Sequence, residues 1–224
     1  MIKAEKVNKE YNRSGTIIRA LIDIDLEIYS GEVVAIQGPT ACGKTTLLNV
    51  LSGLDTPDDG KVFLDGENIS RSAEKRLSTI RSQKIGFVFQ DFNLIDSLTA
   101  IENVSALLWP TPLHKKDIEK RALAALRDVN MLERKDHIPR QLSGGEKQRV
   151  AVARAIVHQP RVIFADEPTG NLDPQSGKEL MDLLVKLNKD YKTTVVIVTH
   201  DQQIADKYGK KRVRMDRGKI VDIS

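Results

Sequence analysis

Short apolar runs rich in β-branched residues, too brief for helices, punctuate the chain at Val33 to Ile36, Ile85 to Phe89, Val162 to Ala165 and Val195 to Val198. Runs of this kind describe strands buried on both faces, as in a parallel sheet covered by helices. Each ends on polar or glycine residues: Gln37-Gly38, Gln90, Asp166-Glu167 and Thr199-His200. Ligands of open parallel sheets bind beyond the carboxyl ends of the strands, so these endings are expected to meet in one crevice. Ile2 to Val7 alternates polar and apolar instead, and Ile24 to Ile28 and Val62 to Leu64 read similarly, with Asp65-Gly66 as a turn. That pattern predicts an antiparallel β layer beside the parallel sheet. Between Gln90 and Leu142 the character changes: Trp109-Pro110-Thr111-Pro112 breaks the chain, and Ile118, Ala122, Ala125, Leu126 and Val129 mark one helical face. The expected fold is α/β, a parallel sheet core with an antiparallel β layer and an inserted α-helical lobe over about residues 92–158.

A length of 224 residues suits a single domain over residues 1–224, large enough to bury a core without metal or disulfide staples. Lys and Arg outnumber Asp and Glu by 35 to 31, with the signs interspersed apart from short stretches such as Lys210-Lys211-Arg212. That balance describes a solvated surface, and no nucleic-acid partner is expected. Cys42 is the one cysteine and no charged-then-apolar leader opens the sequence, which leads to the expectation of a reducing cytosol. No apolar run approaches the ~18 residues that span a bilayer, so a membrane role is expected to come through a separate chain.

Directly after the first buried strand stands Gly38-Pro39-Thr40-Ala41-Cys42-Gly43-Lys44-Thr45, followed by Thr46, Leu47 and Leu48. The run matches G-x-x-x-x-G-K-[ST] in the required order of strand, loop and helix. Backbone N–H groups of such a loop and the helix N-terminus attract the phosphates of a nucleotide, Lys44 reaches the β/γ-oxygens, and the Thr45 hydroxyl ligates Mg²⁺. A glycine turn that merely caps a helix is the plainer explanation, and the strand before it argues against that. Val162-Ile163-Phe164-Ala165-Asp166-Glu167 then sets two acids at a strand end, where burial is costly without a cation or water. Asp166 fits the acid that holds Mg²⁺, and Glu167 the group that polarises the attacking water. An acid favoured by a helix N-terminus would be the alternative for Glu167.

Leu142-Ser143-Gly144-Gly145-Glu146-Lys147-Gln148-Arg149 precedes a stretch rich in Ala151, Ala153 and Ala155. Ser143 and Glu146 satisfy S-x-x-E, a capping box, and the same Ser-Gly-Gly start offers free donors to a γ-phosphate. With the loop at Lys44 already serving the phosphates, a second phosphate reader is most simply placed in another subunit. Over essentially its whole length the chain resembles the ATP-binding cassette family of P-loop (RecA-like) ATPases. The resemblance implies ATP and Mg²⁺ as ligands, and a homodimer in which Ser143, Gly144, Gly145 and Glu146 face ATP held by the partner's Lys44. It also implies that Gln90 approaches Mg²⁺ and the water, that His200 bonds the γ-phosphate, that Tyr11 stacks on adenine, and that Asp173 of Asn171-Leu172-Asp173 crosses the dimer interface near the nucleotide. The common family loop has Gly-Ser where this chain has Ala41-Cys42, which leads to the expectation of an altered loop geometry and a thiol whose labelling ATP prevents.

Phe87 to Leu94, Leu98 to Val104 and Asp166 to Asp173 are similar to the lipoprotein-release, macrolide-export and cell-division branch of the family. That likeness implies a separate transmembrane permease with a large extracytoplasmic domain, and a cytoplasmic subunit held peripherally at the inner face of the membrane. Phe92, Leu94 and Ile95 are candidates for the docking surface, with packing inside the lobe as the alternative. The rival functions are an ATP-dependent scaffold of the cell-division type and a soluble cassette without a transporter.

Overall fold

The computed structural model describes residues 1–13 and 15–224. In chain order the strands and helices are β1 (Ile2–Arg13), β2 (Thr16–Ile28), β3 (Val33–Gln37), α1 (Lys44–Leu51), β4 (Asp59–Leu64), β5 (Glu67–Asn68), α2 (Glu74–Lys84) and β6 (Ile85–Val88). They continue with α3 (Ala100–Ser105), α4 (Lys115–Asp128), α5 (Gly144–Ile156), β7 (Val162–Asp166), α6 (Pro174–Tyr191), β8 (Thr194–Thr199), α7 (Gln202–Tyr208), β9 (Lys211–Asp216) and β10 (Lys219–Ile223).

One sheet of six strands runs β10-β9-β3-β8-β7-β6, parallel throughout except for the β9–β10 hairpin. The α/β reading therefore holds, and all four expected strands pair within this sheet. Their side chains alternate between two apolar environments. Val34, Ile36, Phe164, Val196 and Val198 enter the core shared with the β layer and α1, while Val33, Ile163, Ala165, Val195 and Ile197 face the core shared with α3 to α6. Burial on both faces is why these runs lack polar positions. The sequence reading had not identified β9, whose Lys210-Lys211-Arg212 opening looked like solvated surface. In the fold Val213 and Met215 are fully buried while Arg214 is exposed, so the strand alternates like one with a single covered face.

The antiparallel layer runs β2-β1-β4-β5, with Asp65-Gly66 turning between its last two strands. It extends further than the alternation suggested, because β1 and β2 stay paired out to Arg13 and Thr16 through several register shifts that break the period-two pattern. In the helical region Ala122, Ala125, Leu126 and Val129 are buried, and Ile118 packs against the same core. That core also holds Leu180 and Leu184 of α6 and Ile197 of β8, so the helices after Gln90 share their packing with one face of the sheet. No helix among the described residues is long and apolar enough to cross a membrane.

Candidate active site

The loop from Gly38 to Gly43 joins β3 to α1. Gly43, at φ 106°, precedes the helix without a side-chain cap, so the first N–H groups of α1 remain available to an anion. A Cβ at Gly43 would lie 2.4 Å from the Ala20 carbonyl, so only glycine lets β2 come this close. Lys44 Nζ donates to the Gly38 and Pro39 carbonyls, both at 2.9 Å, which holds the ammonium within the loop. Ala41 has φ 62°, the left-handed region that a Cβ disfavours. The loop keeps the backbone that glycine would adopt, and the expected change appears as strain. The expected thiol chemistry needs correction: Cys42 is 5% exposed and packs with Leu47 and Met215 in the core beneath the β layer. Its Sγ lies against Gly38, where a Cβ would come within 2.8 Å of it, and Cys42 is among the residues lining the cavity described below.

The two acids diverge at the end of β7. Asp166 accepts a hydrogen bond from Thr45 Oγ1 at 3.2 Å. Burial lifts its carboxyl above the ordinary carboxylate range; the Thr45 bond opposes this, Glu167 adds to it and Lys44 opposes it. Glu167 adopts φ 45°, uncommon for a residue with a side chain, just past the end of β7. There Oε2 accepts from His200 Nδ1 at 2.8 Å and from the His200 backbone N–H at 3.3 Å. The bond requires the proton on Nδ1, since a carboxylate only accepts. Gln90 meets the segment after Glu167 through Asn171, whose Nδ2 donates to the Gln90 carbonyl at 3.1 Å and to Asp91 Oδ1 at 2.8 Å.

A cavity of about 600 Å³ gathers most of these parts, while Gly38, Pro39 and Asp166 are not among its lining residues. Residues 40–46 form its floor, Gln90, Glu167 and His200 one wall, and Tyr11 another. Tyr11 and Ile18 are directly opposed in the β1–β2 pair and so share a face, and both line the cavity. The Tyr11 hydroxyl donates to Asp55 Oδ2 at 2.7 Å, and burial followed by that bond raises its pKa. Lys9 Nζ lies 5.3 Å from the ring centre and bonds Asp55 from the other side, so the ring is braced.

Sequence reasoning missed Ile18, Arg19, Ala20, Arg217 and Gly218, which complete the lining. The Arg217-Gly218 turn between β9 and β10 has φ 44° and 78° and is fastened to the loop by Gly218 N–H to the Cys42 carbonyl at 2.9 Å. An Arg-Gly pair between two strand patterns was the available signal for that turn.

The signature residues lie elsewhere. Ser143 caps α5, receiving Glu146 N–H at 3.2 Å while Glu146 Oε2 accepts the Ser143 N–H at 2.8 Å, so the capping box forms as read. That backbone bond, first among several causes, lowers the Glu146 carboxyl below its usual range. Asp173 caps α6 through the N–H groups of Gln175 and Ser176, at 3.1 and 3.0 Å. Neither Ser143, Gly144, Gly145, Glu146 nor Asp173 lines the cavity of its own chain.

A model of the family described as ABC transporter matches residues 21–170. The chain belongs to the ABC transporter family. This cassette is the ATP-binding and ATP-hydrolysing subunit of a transporter, as its motifs led one to expect. It is 45% identical over 221 residues to the lipoprotein-releasing system ATP-binding protein LolD of Bacteroides fragilis, covering 99% of this chain and all of that protein. It is 44% identical over 223 residues to the ABC transporter ATP-binding protein MJ1508 of Methanocaldococcus jannaschii, covering 100% and 99%. The dimeric structure of a post-hydrolysis state of the cassette MJ0796 bound to ADP and Pi superposes with a TM-score of 0.91 at 41% identity, covering 100% of this chain and 98% of that one.

Proposed function

We propose that the cavity is the hydrolysis site of a cassette that works as an ATP-closed homodimer beneath a separate membrane permease. The observation that carries this reading is the convergence of Lys44, Glu167 and His200 on one cavity whose own signature segment lies outside it. Residues 38–46 cradle the phosphates, Lys44 turns from the loop carbonyls to the β/γ-oxygens, and Tyr11 with Ile18 supplies the apolar wall for adenine.

The donor set suits Mg²⁺, which takes few protein oxygens and completes its shell with phosphate and water. Thr45 Oγ1 and Asp166 Oδ1, 3.2 Å apart, would hold it, with Gln90 beside them, and burial of Asp166 creates the demand for a cation. When bound, the ion neutralises charge on the phosphate oxygens. Glu167 accepts the proton of the attacking water. His200 Nδ1 fixes the Glu167 carboxylate, which leaves Nε2 for the γ-phosphate. Donation from Nε2 while Nδ1 keeps its bond requires the doubly protonated ring.

Ser143, Gly144 and Gly145, with Glu146 capping behind them, present the N-terminus of α5 to ATP held by the second copy. Asp173 crosses the same interface. Residues 1–224 act as a single ATPase domain, in which 92–158 form the lobe that follows the permease.

An apolar groove of about 490 Å³ on this side, lined by Phe87, Phe89, Ile95 and the exposed Leu54 and Leu107, is the docking surface. Of the three residues expected there, Ile95 lines the groove, Leu94 packs into the lobe core and Phe92 is half-buried beside Gly144. The likeness to lipoprotein-release cassettes favours a permease with a large extracytoplasmic domain, and so a peripheral place at the cytoplasmic face of the membrane.

Glu167→Gln tests the chemistry. Turnover should fall by about 10²–10⁴-fold while ATP binding persists and ATP drives the variant into a dimer on gel filtration. Wild-type turnover in that variant would remove Glu167 from its role.

A further inference from the structure

Helix α5 carries a second polar residue besides its cap that reaches the catalytic segments. Gln148 is 0% exposed, and its Nε2 donates to two carbonyls, Phe89 at 3.0 Å and Pro168 at 2.8 Å. Phe89 immediately precedes Gln90, and Pro168 immediately follows Glu167. Both amide protons are used, so the orientation of the group is settled: the flipped amide would set an oxygen against two carbonyl oxygens. The remaining atom, Gln148 Oε1, is buried without a hydrogen-bond partner among the described residues. A residue serving only to fill space at this position would be apolar and would leave no acceptor orphaned. Retention of an amide at that cost indicates that the two donated bonds matter.

The same helix holds the loop after Gln90 further along, where Arg154 Nη2 donates to the Phe92 carbonyl at 2.8 Å. Asn171 closes the remaining side by its bonds to the Gln90 carbonyl and Asp91. Segments 89–93 and 167–171 are thus joined to the signature helix and to each other through side chains, and Gln148 bonds both from the helix.

We propose that Gln148 is a positioning residue for ATP hydrolysis: it locks the backbone beside Gln90 and the backbone beside Glu167 to the signature helix, so that a shift of one is transmitted to the others. The inference rests on the roles given above to Glu167 and Gln90. Movement of the loop that faces the permease would then reach the Glu167 carboxylate through one side chain, independently of the nucleotide.

The test is hydrogen exchange of the full-length protein together with steady-state ATPase kinetics for Gln148→Met, which keeps the length and removes the donors, and for Gln148→Glu. The expected result is faster amide exchange in both 89–93 and 167–171, about tenfold, with other segments unchanged. In the same variants kcat should fall at least about tenfold while KM for ATP stays within about threefold. Gln148→Glu should regain turnover only in part as the pH is lowered, since its carboxyl acquires one proton to donate where the amide has two, and this partial rescue keeps the test informative if Gln148→Met fails to fold. Exchange unchanged in either segment, or kcat per folded molecule equal to wild type, would overturn the proposal. A wild-type chain that does not hydrolyse ATP would bring down the reading of the site instead, and the exchange pattern would still decide whether Gln148 fastens the two segments.

Discussion

Ala41 and Glu167 show how single backbone conformations shape this site. Both sit at positive φ, 62° and 45°, which a side chain resists by about 1–2 kcal/mol in the left-handed region. At Glu167 that cost accompanies the bond to His200, while the neighbouring Asp166 bonds Thr45, so the two acids have different partners. At Ala41 the cost has no visible return, since the methyl group makes none of the bonds that hold the loop. Ala41→Gly should therefore raise stability by up to about 1 kcal/mol in denaturant titration and leave ATP binding equal or tighter. A loss of stability would show that the alanine is unstrained. The identities of Lys44, Thr45, Asp166 and Glu167 were legible as residue types at fixed spacing, whereas the bond between Glu167 and His200 was not, because 33 residues separate them and only the pairing of β7 with β8 brings them together.

At the scale of elements, α5 is the most heavily used. Its first turn carries the capping box, its middle Gln148 and its last turn Arg154, and just beyond its end His158 is hydrogen-bonded to the Ile85 carbonyl at 3.0 Å, tying the helix to the start of β6. The carbonyl accepts, so Nε2 bears the proton, and Nδ1 is buried without a partner among the described residues. Burial lowers the His158 pKa below its ordinary value of 6.5, with the Ile85 bond opposing. The unfolded chain then takes up a proton at a higher pH than the folded one. The stability this residue contributes is complete above about pH 6.5 and is progressively lost as pH falls towards the folded value. Thermal unfolding at pH 5.5 should accordingly occur below that at pH 7.5, and His158→Phe should shrink the difference; an equal pH dependence in the variant would assign it to other groups. The cap of α5 was readable from Ser143 and Glu146, since capping is local. The partners of His158 and Gln148 were not, because each is a backbone carbonyl whose position depends on the fold.

At the scale of the whole molecule, the proposed catalytic cavity and the proposed docking groove are separate. The cavity with Lys44 and Glu167 and the apolar groove with Leu107 have no lining residue in common, and the segment 87–95 contributes to both through Gln90 on one side and Phe89 and Ile95 on the other. A charge placed in the groove should therefore spare the cavity. Leu107→Asp is expected to keep basal ATPase within about twofold while losing stimulation by the membrane partner, since a carboxylate is costly to desolvate and the groove's Arg81 and Arg154 already bond the Gly53 and Phe92 carbonyls. Stimulation at the wild-type level would move the docking surface elsewhere. By itself the sequence determined four strands of the parallel sheet, the phosphate loop, the acid pair and the start of α5, because each is a local rule: continuous apolar burial, glycine geometry, a strand-end acid, a reciprocal cap. Tertiary structure alone decided that Cys42 faces the core, that β9 with its basic opening is a sheet strand, that Arg217 and Ile18 wall the cavity, and that Gln148 clasps two distant segments. Those outcomes turn on which surfaces meet across the sheet, and burial and hydrogen bonding between residues far apart in sequence exist only once the chain has packed.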